Sequence, residues 1–416
     1  GRVQTPTLAL MTEREDEIEA FLGSYYYSAR GDFGLFAASY YPEENSIRFT
    51  DDKKAEELKE KKDRSGKVKR IENQKKRDSV PLLYDLTELQ RDANTALGFS
   101  AKETLDTLQR LYEVHKIVTY PRTDSRYITP DIVPTLKDRV KALQGTAFSR
   151  VVDEYLEHGF VTDNPRFVDE SKVSDHHAII PTEEKVRLDK LSYDEKRLWE
   201  LIALRFLETI GEDYVYSTTT ADIDVDGDIF RTRLTLPLKK GYRSVAESSG
   251  LKSTVAVVDE GDDSFALRRL KEGDEVTLLS VRVRKSSTTP PERYTDATLL
   301  SAMEHAGRFV EDEELKSNLT SGLGTPATRA DIIEKLVQNR YVERQGKYFV
   351  PTPKGREVVR LAPDVLKSPE LTGKWEGRLE AISKGKEDPD VFIRDIKKMA
   401  SSLVEEVKNS SLVFSP

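Results

Sequence analysis

The stretch IVTYPRTDSRYI, residues 117–128, sets Tyr120 among two arginines, a proline, two threonines and an aspartate. A phenolic oxygen is a candidate nucleophile. A free tyrosine titrates near ~10, so it needs a base, or neighbouring positive charge that stabilises the phenolate, before it can attack. Most tyrosines sit half buried with the hydroxyl on a partner. Residue types alone therefore leave Tyr120 open between packing and chemistry.

The elements that must position it are readable on both sides. In SAKETLDTLQRLYEVHKI, Ser100 and Glu103 form a capping box, and Leu105, Leu108, Leu111, Tyr112 and His115 recur on one face. That helix is expected to run straight toward Tyr120 and to be stopped by Pro121, leaving Tyr120 and Arg122 on a loop at its end. Thr129 and Pro130 read as the N-cap and first turn of another helix, and YDEKRLWELIALRFLETIG closes the helical region near Gly211. Strand-rich sequence flanks this block. It runs from FLGSYYYSARGDFGLFAASYY to about Val80, and from TTTADIDVDGDIFRTRLTLPL to EVTLLSVRVRKSS, with Asp226 and Gly227 announcing a hairpin. Both flanks are expected to form one sheet with the helical block inserted at its tip. From TTPPERYTDATLLSAMEHAG onward the chain reads as helical again, apart from a short hairpin near Gly346.

Composition bounds the function. At 416 residues the chain exceeds one ordinary core. Charged residues make up 34%, and no run of eighteen apolar residues occurs, so no helical membrane span is expected. Cysteine is absent, which removes thiolate catalysis, disulfides and Cys-based zinc sites and suits a reducing cytoplasm. A net charge of -8 argues mildly against nucleic acid, but phosphate contacts are local, because screening acts over about 8 Å at physiological salt. One local patch lies between Asp51 and Arg77, where twelve Lys or Arg stand against seven acids. It reads first as a solvated face and second as a region of extra phosphate contact.

Three further stretches invite a functional reading. DIDVDGD, residues 222–228, resembles a calcium loop, but Arg233 stands where a bidentate Glu belongs, and alternating Ile223 and Val225 make it a strand with its acids toward solvent. No metal site is expected in this chain. The stretch from Thr325 to Lys354 has a capped helix, a turn and a two-stranded wing around Gln345 and Gly346, which on its own would suggest a non-catalytic winged-helix DNA-binding regulator. SDHHAIIPT, residues 174–182, carries two adjacent histidines that point different ways in a strand, so joint metal ligation is not expected. One of them donating to an anion and both being structural are the two readings left open.

Taken in order, GRVQTPTLAL, VTYPRTDSRYI, SDHHAIIPT, PPERYTDATLLSAMEHAG and GLGTPATRADIIEKLVQNRYVERQGKYFVPT resemble the motifs of a type IA DNA topoisomerase, closest to the bacterial topoisomerase III branch, over nearly the whole chain. The resemblance implies a multidomain α+β toroid core. Its single-strand-binding domain would comprise residues 1–22 and 286–416, its β-rich arch residues 23–80 and 211–285, and its helical domain, with the nucleophile, residues 81–210. It implies that Tyr120 attacks a phosphodiester of single-stranded DNA to leave a 5′-phosphotyrosyl link, that Arg122 holds the scissile phosphate, and that His176 orients it, with His177 a weaker candidate. Arg2, Gln4, Arg293, Tyr294, Thr328 and Arg329 would bind the strand. Religation would need no ATP. The resemblance further implies Mg²⁺ held by an N-terminal Toprim domain that nothing here supplies, so that a chain starting at Gly1 reads as a core fragment that cleaves little or nothing alone. The partners implied are single-stranded DNA, the Toprim domain of the same protein and room for a helicase, around a monomer acting in the cytoplasm at the nucleoid. A third reading makes the chain a structural partner whose Toprim comes from another polypeptide.

Overall fold

The structure, a computed structural model, describes residues 1–256, 265–319 and 322–410. Seven strands form one sheet: β1 (Tyr25–Asp32), β2 (Ala37–Tyr41), β3 (Arg64–Asp78), β4 (Tyr214–Val225), β5 (Asp228–Lys239), β6 (Glu275–Leu278) and β7 (Ser280–Ser287). Their order is β6-β3-β4-β5-β2-β1-β7, with every neighbouring pair antiparallel. Strands from both flanks thus enter the same sheet. The β4–β5 hairpin turns on Asp226 and Gly227, both at positive φ (54° and 86°), which is the geometry that favours Asp-Gly. One face of the sheet buries Ala29, Ile223, Phe230 and Leu234; the alternate residues face outward.

The acids of residues 222–228 do not all reach solvent as expected. Asp222 receives Arg231 at 2.6 and 2.9 Å, Asp224 accepts the Gly227 amide, and Asp228 is buried between Lys54 and Lys61 at 2.7 Å each. Cross-strand pairing drew in charges from outside the hairpin. The lysine-rich stretch divides into the helix Asp52–Glu60, capped by Asp51, and the long strand β3.

Between the two flanks lies the helical block. The helix Leu86–Leu97 is capped by Asp85 and ended by Gly98 at φ 76°, and Ala101–Glu113 carries the expected Ser100–Glu103 capping box. That helix ends at Val114, well before Pro121: Lys116 turns at φ 61° and the following residues pair with the segment at 180–182. Tertiary pairing, not proline, stops it. Likewise the helix expected to begin at Thr129 and Pro130 starts later, as a 3-10 turn Val133–Thr135 leading into Leu136–Ala142. The block closes on Tyr193–Thr209, whose Trp199, Ile202 and Phe206 are fully buried with Leu105, Leu108 and Leu111. Each such side chain contributes about 1.5–3 kcal/mol by leaving water.

A second core joins the helix Gln4–Glu19 to the C-terminal helices through Leu8, Met11, Leu299, Met303, Ile333 and Phe349. Here the wing is present as β8 (Val342–Gln345) and β9 (Tyr348–Pro351) after the helix Pro326–Gln338. Buried Asp296 ties this part to the helical block. It accepts the amide of Ala101 at 2.9 Å and the guanidinium of Arg344.

A buried polar cluster under the block makes stability depend on pH. Arg205 lies 4.2 Å over the Tyr84 ring and 2.7 Å from Asp92, with Glu208 at 4.0 Å. Glu208 is 1% exposed, and burial pushes its carboxyl up from 4.5 to about 7. The unfolded chain ionises near 4.5, so the desolvation penalty is absent below that pH, grows as pH rises toward 7, and is complete above it. Glu208→Gln should therefore raise stability by roughly 2–3 kcal/mol at pH 8 and change little at pH 4, measured by denaturant unfolding at both. An equal effect at the two pH values would mean that ionisation is not the cause.

Candidate active site

The loop that carries Tyr120 is fixed by a partner segment far away in sequence. The Thr119 amide donates to Ile180 O at 3.0 Å, the Thr119 hydroxyl donates to Ala178 O at 3.0 Å and accepts from the Ile180 amide at 2.9 Å, and Val118 bridges Pro181. On the other side of Tyr120, the Thr123 hydroxyl donates to the His176 carbonyl at 2.9 Å while the Thr123 carbonyl accepts the Leu86 amide. Two threonines thus clamp the loop, and Pro121 between them is buried.

The clamp brings two of the expected residues face to face. The exposed His176 ring lies 4.0 Å from the Tyr120 ring, tilted by 30°, and Tyr112 meets Tyr120 edge-on at 5.7 Å. Tyr120 is half buried by these rings, and among the described residues its hydroxyl has no hydrogen-bond partner. It lines a cleft of about 290 Å³ with Thr129, Glu170, Ser174 and both histidines. His177 lines the same cleft with its Nδ1 2.8 Å from Ala178 O, and burial holds its imidazole below its usual range, so it is neutral at physiological pH.

Arg122 reaches in a different direction, donating to Ala327 O at 3.3 Å in the first turn of the helix Pro326–Gln338. One long hydrogen bond to a carbonyl leaves most of a five-donor guanidinium uncommitted. Thr328, one residue on, closes a capping box with Thr325. Arg329 lies inside: it is 1% exposed and donates to Thr87 at 2.8 Å and Leu323 O at 3.3 Å, bracing this helix against Leu86–Leu97.

The remaining expected strand-binding residues gather around the helix Gln4–Glu19. Arg293 forms a bidentate pair with Glu15 at 2.8 and 2.6 Å; Tyr294 is 5% exposed beneath Arg14, whose guanidinium lies 4.5 Å from its ring. Arg2 stacks 5.4 Å over Trp375 and pairs with Glu376 at 2.7 Å, and half-exposed Gln4 opens the helix. Tyr112 was read from sequence only as part of a helix face, and Thr119, Thr123 and the Ala327 carbonyl were not singled out. The threonines stand inside the motif, but the carbonyls that accept from their hydroxyls lie 59 and 53 residues away.

Among the described residues no group of three or more His, Asp or Glu side chains is arranged to hold a metal ion, and the acids of residues 222–228 are engaged as described. Among the described residues, then, none is arranged to hold Mg²⁺.

The Tyr120 loop lies beside the capped helix Pro326–Gln338, in a chain whose two strand-rich flanks join in one antiparallel sheet, and comparisons with known proteins give its family. A family model described as DNA topoisomerase matches residues 1–394. The chain belongs to the type IA DNA topoisomerase family. It is 41% identical over 420 residues to DNA topoisomerase 3 of Bacillus subtilis (strain 168) and 41% identical over 424 residues to that of Bacillus licheniformis. Each alignment takes in 100% of this chain and 57% of the relative. The chain therefore spans little more than half the length of these relatives. Full-length topoisomerase I from Thermotoga maritima shares the fold, with a TM-score of 0.72 at 23% identity over 97% of this chain and 62% of that one. The α+β architecture is that of the type IA toroid core. Among the described residues no helix is long and apolar enough to cross a membrane.

Proposed function

We propose that this chain is the strand-cleaving core of a type IA DNA topoisomerase of the topoisomerase III kind, an isomerase that breaks one strand of DNA, passes DNA through the gap and reseals it. The observation that carries the reading is the Tyr120–His176 contact at 4.0 Å inside a cleft, on a loop whose next arginine is Arg122. In this reading the Tyr120 oxygen attacks the phosphorus of a phosphodiester, the 3′-oxygen leaves and takes up a proton, and the 5′-phosphate stays esterified to the phenol. Resealing is the reverse attack by that 3′-hydroxyl. Because the ester bond is exchanged for another ester bond, no ATP is needed. Arg122 swings from the Ala327 carbonyl to pair with phosphate oxygens as charge builds on them. His176 keeps the Tyr120 ring in place and offers a ring nitrogen to the same phosphate.

Residues 1–22 with 286–416 form the strand-binding unit, 23–80 with 211–285 the arch, and 81–210 the unit that carries Tyr120. Arg2, Gln4, Arg293 and Thr328 contact the strand backbone, where exposed ion pairs such as Arg2–Glu376 cost little to exchange for phosphate, while Tyr294, 5% exposed, supports Arg14 from beneath rather than meeting the strand itself. Arg329 acts from beneath, by holding the helix that presents Thr328. Mg²⁺ and the acids that hold it come from a Toprim domain elsewhere in the polypeptide. The 416-residue chain alone binds unpaired strands and does not cleave them. The parent enzyme relaxes negative supercoils and decatenates DNA as a cytoplasmic monomer, in company with a helicase where duplex must be unwound. The regulator reading is disfavoured by the packing of Pro326–Gln338, which turns Ala330, Ile333 and Leu336 inward and pairs Asp331 with Lys102 of the helical block.

Covalent capture tests the proposal. Full-length protein is mixed with an oligo-dT strand labelled at either end and quenched with detergent. Label from the 3′ end should remain on the protein; label retained from the 5′ end, or none from either, contradicts the reading.

A further inference from the structure

Residues 82–86 form a strip between the Tyr120 loop and the buried polar cluster around Arg205. Toward the loop, the Leu83 carbonyl accepts Arg126 Nε at 3.0 Å, the Tyr84 carbonyl accepts the Ile179 amide at 2.8 Å, and the Leu86 amide donates to the Thr123 carbonyl at 3.1 Å. Ile179 stands between Ala178 and Ile180, whose backbone groups grip Thr119. The strip is thus bonded both to the Tyr120 stretch and to the segment that clamps it. Away from the loop, the Leu82 carbonyl accepts Arg205 Nη1 at 3.2 Å, and the wholly buried Tyr84 side chain lies under the same guanidinium and donates to Asp92 Oδ2 at 2.6 Å. A further group closes the cluster. The Thr254 hydroxyl donates to Asp92 Oδ2 at 2.6 Å and accepts from Arg205 Nη2 at 3.0 Å. Thr254 belongs to the chain between β5 and β6, beyond the helix Arg243–Ser249, whose Val245 is buried in the core of the helical block.

We propose that Arg205, Tyr84 and Thr254 are positioning residues for Tyr120: the cluster fixes the 82–86 strip, the strip fixes the nucleophile loop, and Thr254 ties that setting to the chain between β5 and β6. A loop without regular structure takes its geometry from the groups it is bonded to, and a misplacement of about 1 Å can cost ~10²-fold in rate. Burying an ion pair brings little net stability over apolar packing of similar volume, so stability alone does not account for an arginine that is 5% exposed behind the strip. What the pair supplies is direction. One guanidinium reaches the Leu82 carbonyl, the Asp92 carboxylate and the Thr254 hydroxyl at once, and its planar fork permits few other arrangements. Thr254 carries the sheet-side chain into that arrangement, so a shift of the sheet against the helical block meets Leu82 and Tyr84 before it reaches Tyr120. The assignment rests on the proposed role of Tyr120 only for the rate it predicts.

The test compares full-length protein carrying Thr254→Val, which removes the hydroxyl and keeps the branched shape, with Thr254→Ser, which keeps the hydroxyl. Amide hydrogen exchange is followed by mass spectrometry in peptides covering residues 82–86, 117–124 and 176–182. In the Val protein these peptides should exchange about tenfold faster, the size expected when one buried hydrogen bond is lost and the region opens locally, while the helix Ala101–Glu113 exchanges as before. Single-turnover cleavage of oligo-dT should slow by roughly ten- to a hundredfold at unchanged oligo-dT affinity, and the Ser protein should recover both. Unchanged exchange in the three peptides overturns the proposal. So does a rise that extends equally to Ala101–Glu113, as a general loss of stability would produce, a rise that Ser does not reverse, or a local rise with cleavage as fast as before. Failure of unaltered protein to form any adduct would instead strike the Tyr120 reading, and the exchange comparison would still decide whether the cluster holds the loop.

Discussion

Full-length protein with Tyr120→Phe is expected to relax no supercoiled plasmid and to leave no covalent adduct, a fall of at least ~10³-fold to background. Removing a covalent nucleophile commonly takes away nearly all chemical acceleration and leaves what binding alone supplies. The substitution deletes one oxygen. The ring contacts that position Tyr120, edge-on from Tyr112 and stacked on His176, involve carbon faces that Phe retains, and the hydroxyl has no hydrogen bond to lose among the described residues. Stability and oligo-dT affinity should stay near their original values. Gel relaxation and denaturant unfolding of the same preparation check both halves. Residual relaxation in the Phe protein would mean that another oxygen attacks.

The second large effect is expected at Arg122. Arg122→Ala should lower the rates of cleavage and religation by about 10²–10³-fold, the usual consequence of losing one preorganised donor to developing negative charge. Arg122→Lys should recover only part of that, since an ammonium keeps the charge but loses the fork that grips two oxygens at once. The fold should survive either change, because the side chain is half buried on a loop and its one observed bond, to Ala327 O, is 3.3 Å long. Single-turnover cleavage and religation assays separate the two steps. Rates unchanged in the Ala protein would remove Arg122 from the chemistry.

What sequence made legible follows from how local each signal is. The Ser100–Glu103 box, the Asp226–Gly227 turn and the wing around Gly346 depend on residues a few positions apart, and each appears where its motif stands. The Tyr120 stretch was readable as a loop for the same reason. The reason it is a rigid loop was not: Thr119 and Thr123 are held by the carbonyls of Ala178 and His176, and nothing in residues 117–128 announces that partner. The same distance effect moved the helix end from Pro121 back to Val114. Burial was hidden as well. Arg329 sits in a motif that suggests an exposed cation, yet Leu86–Leu97 packs over it and Thr87 takes its proton donor, while Asp228 lost its solvent to Lys54 and Lys61. Charges were read by their neighbours in sequence, whereas the fold chose their neighbours in space.

The central claim concerns which oxygen becomes esterified. Adduct trapped on full-length protein, digested first with nuclease and then with protease, should give a mass-shifted peptide carrying a nucleoside 5′-phosphate whose fragment ions place it on Tyr120. The same peptide recovered only unmodified, with the nucleotide mass on a different residue, would contradict the account.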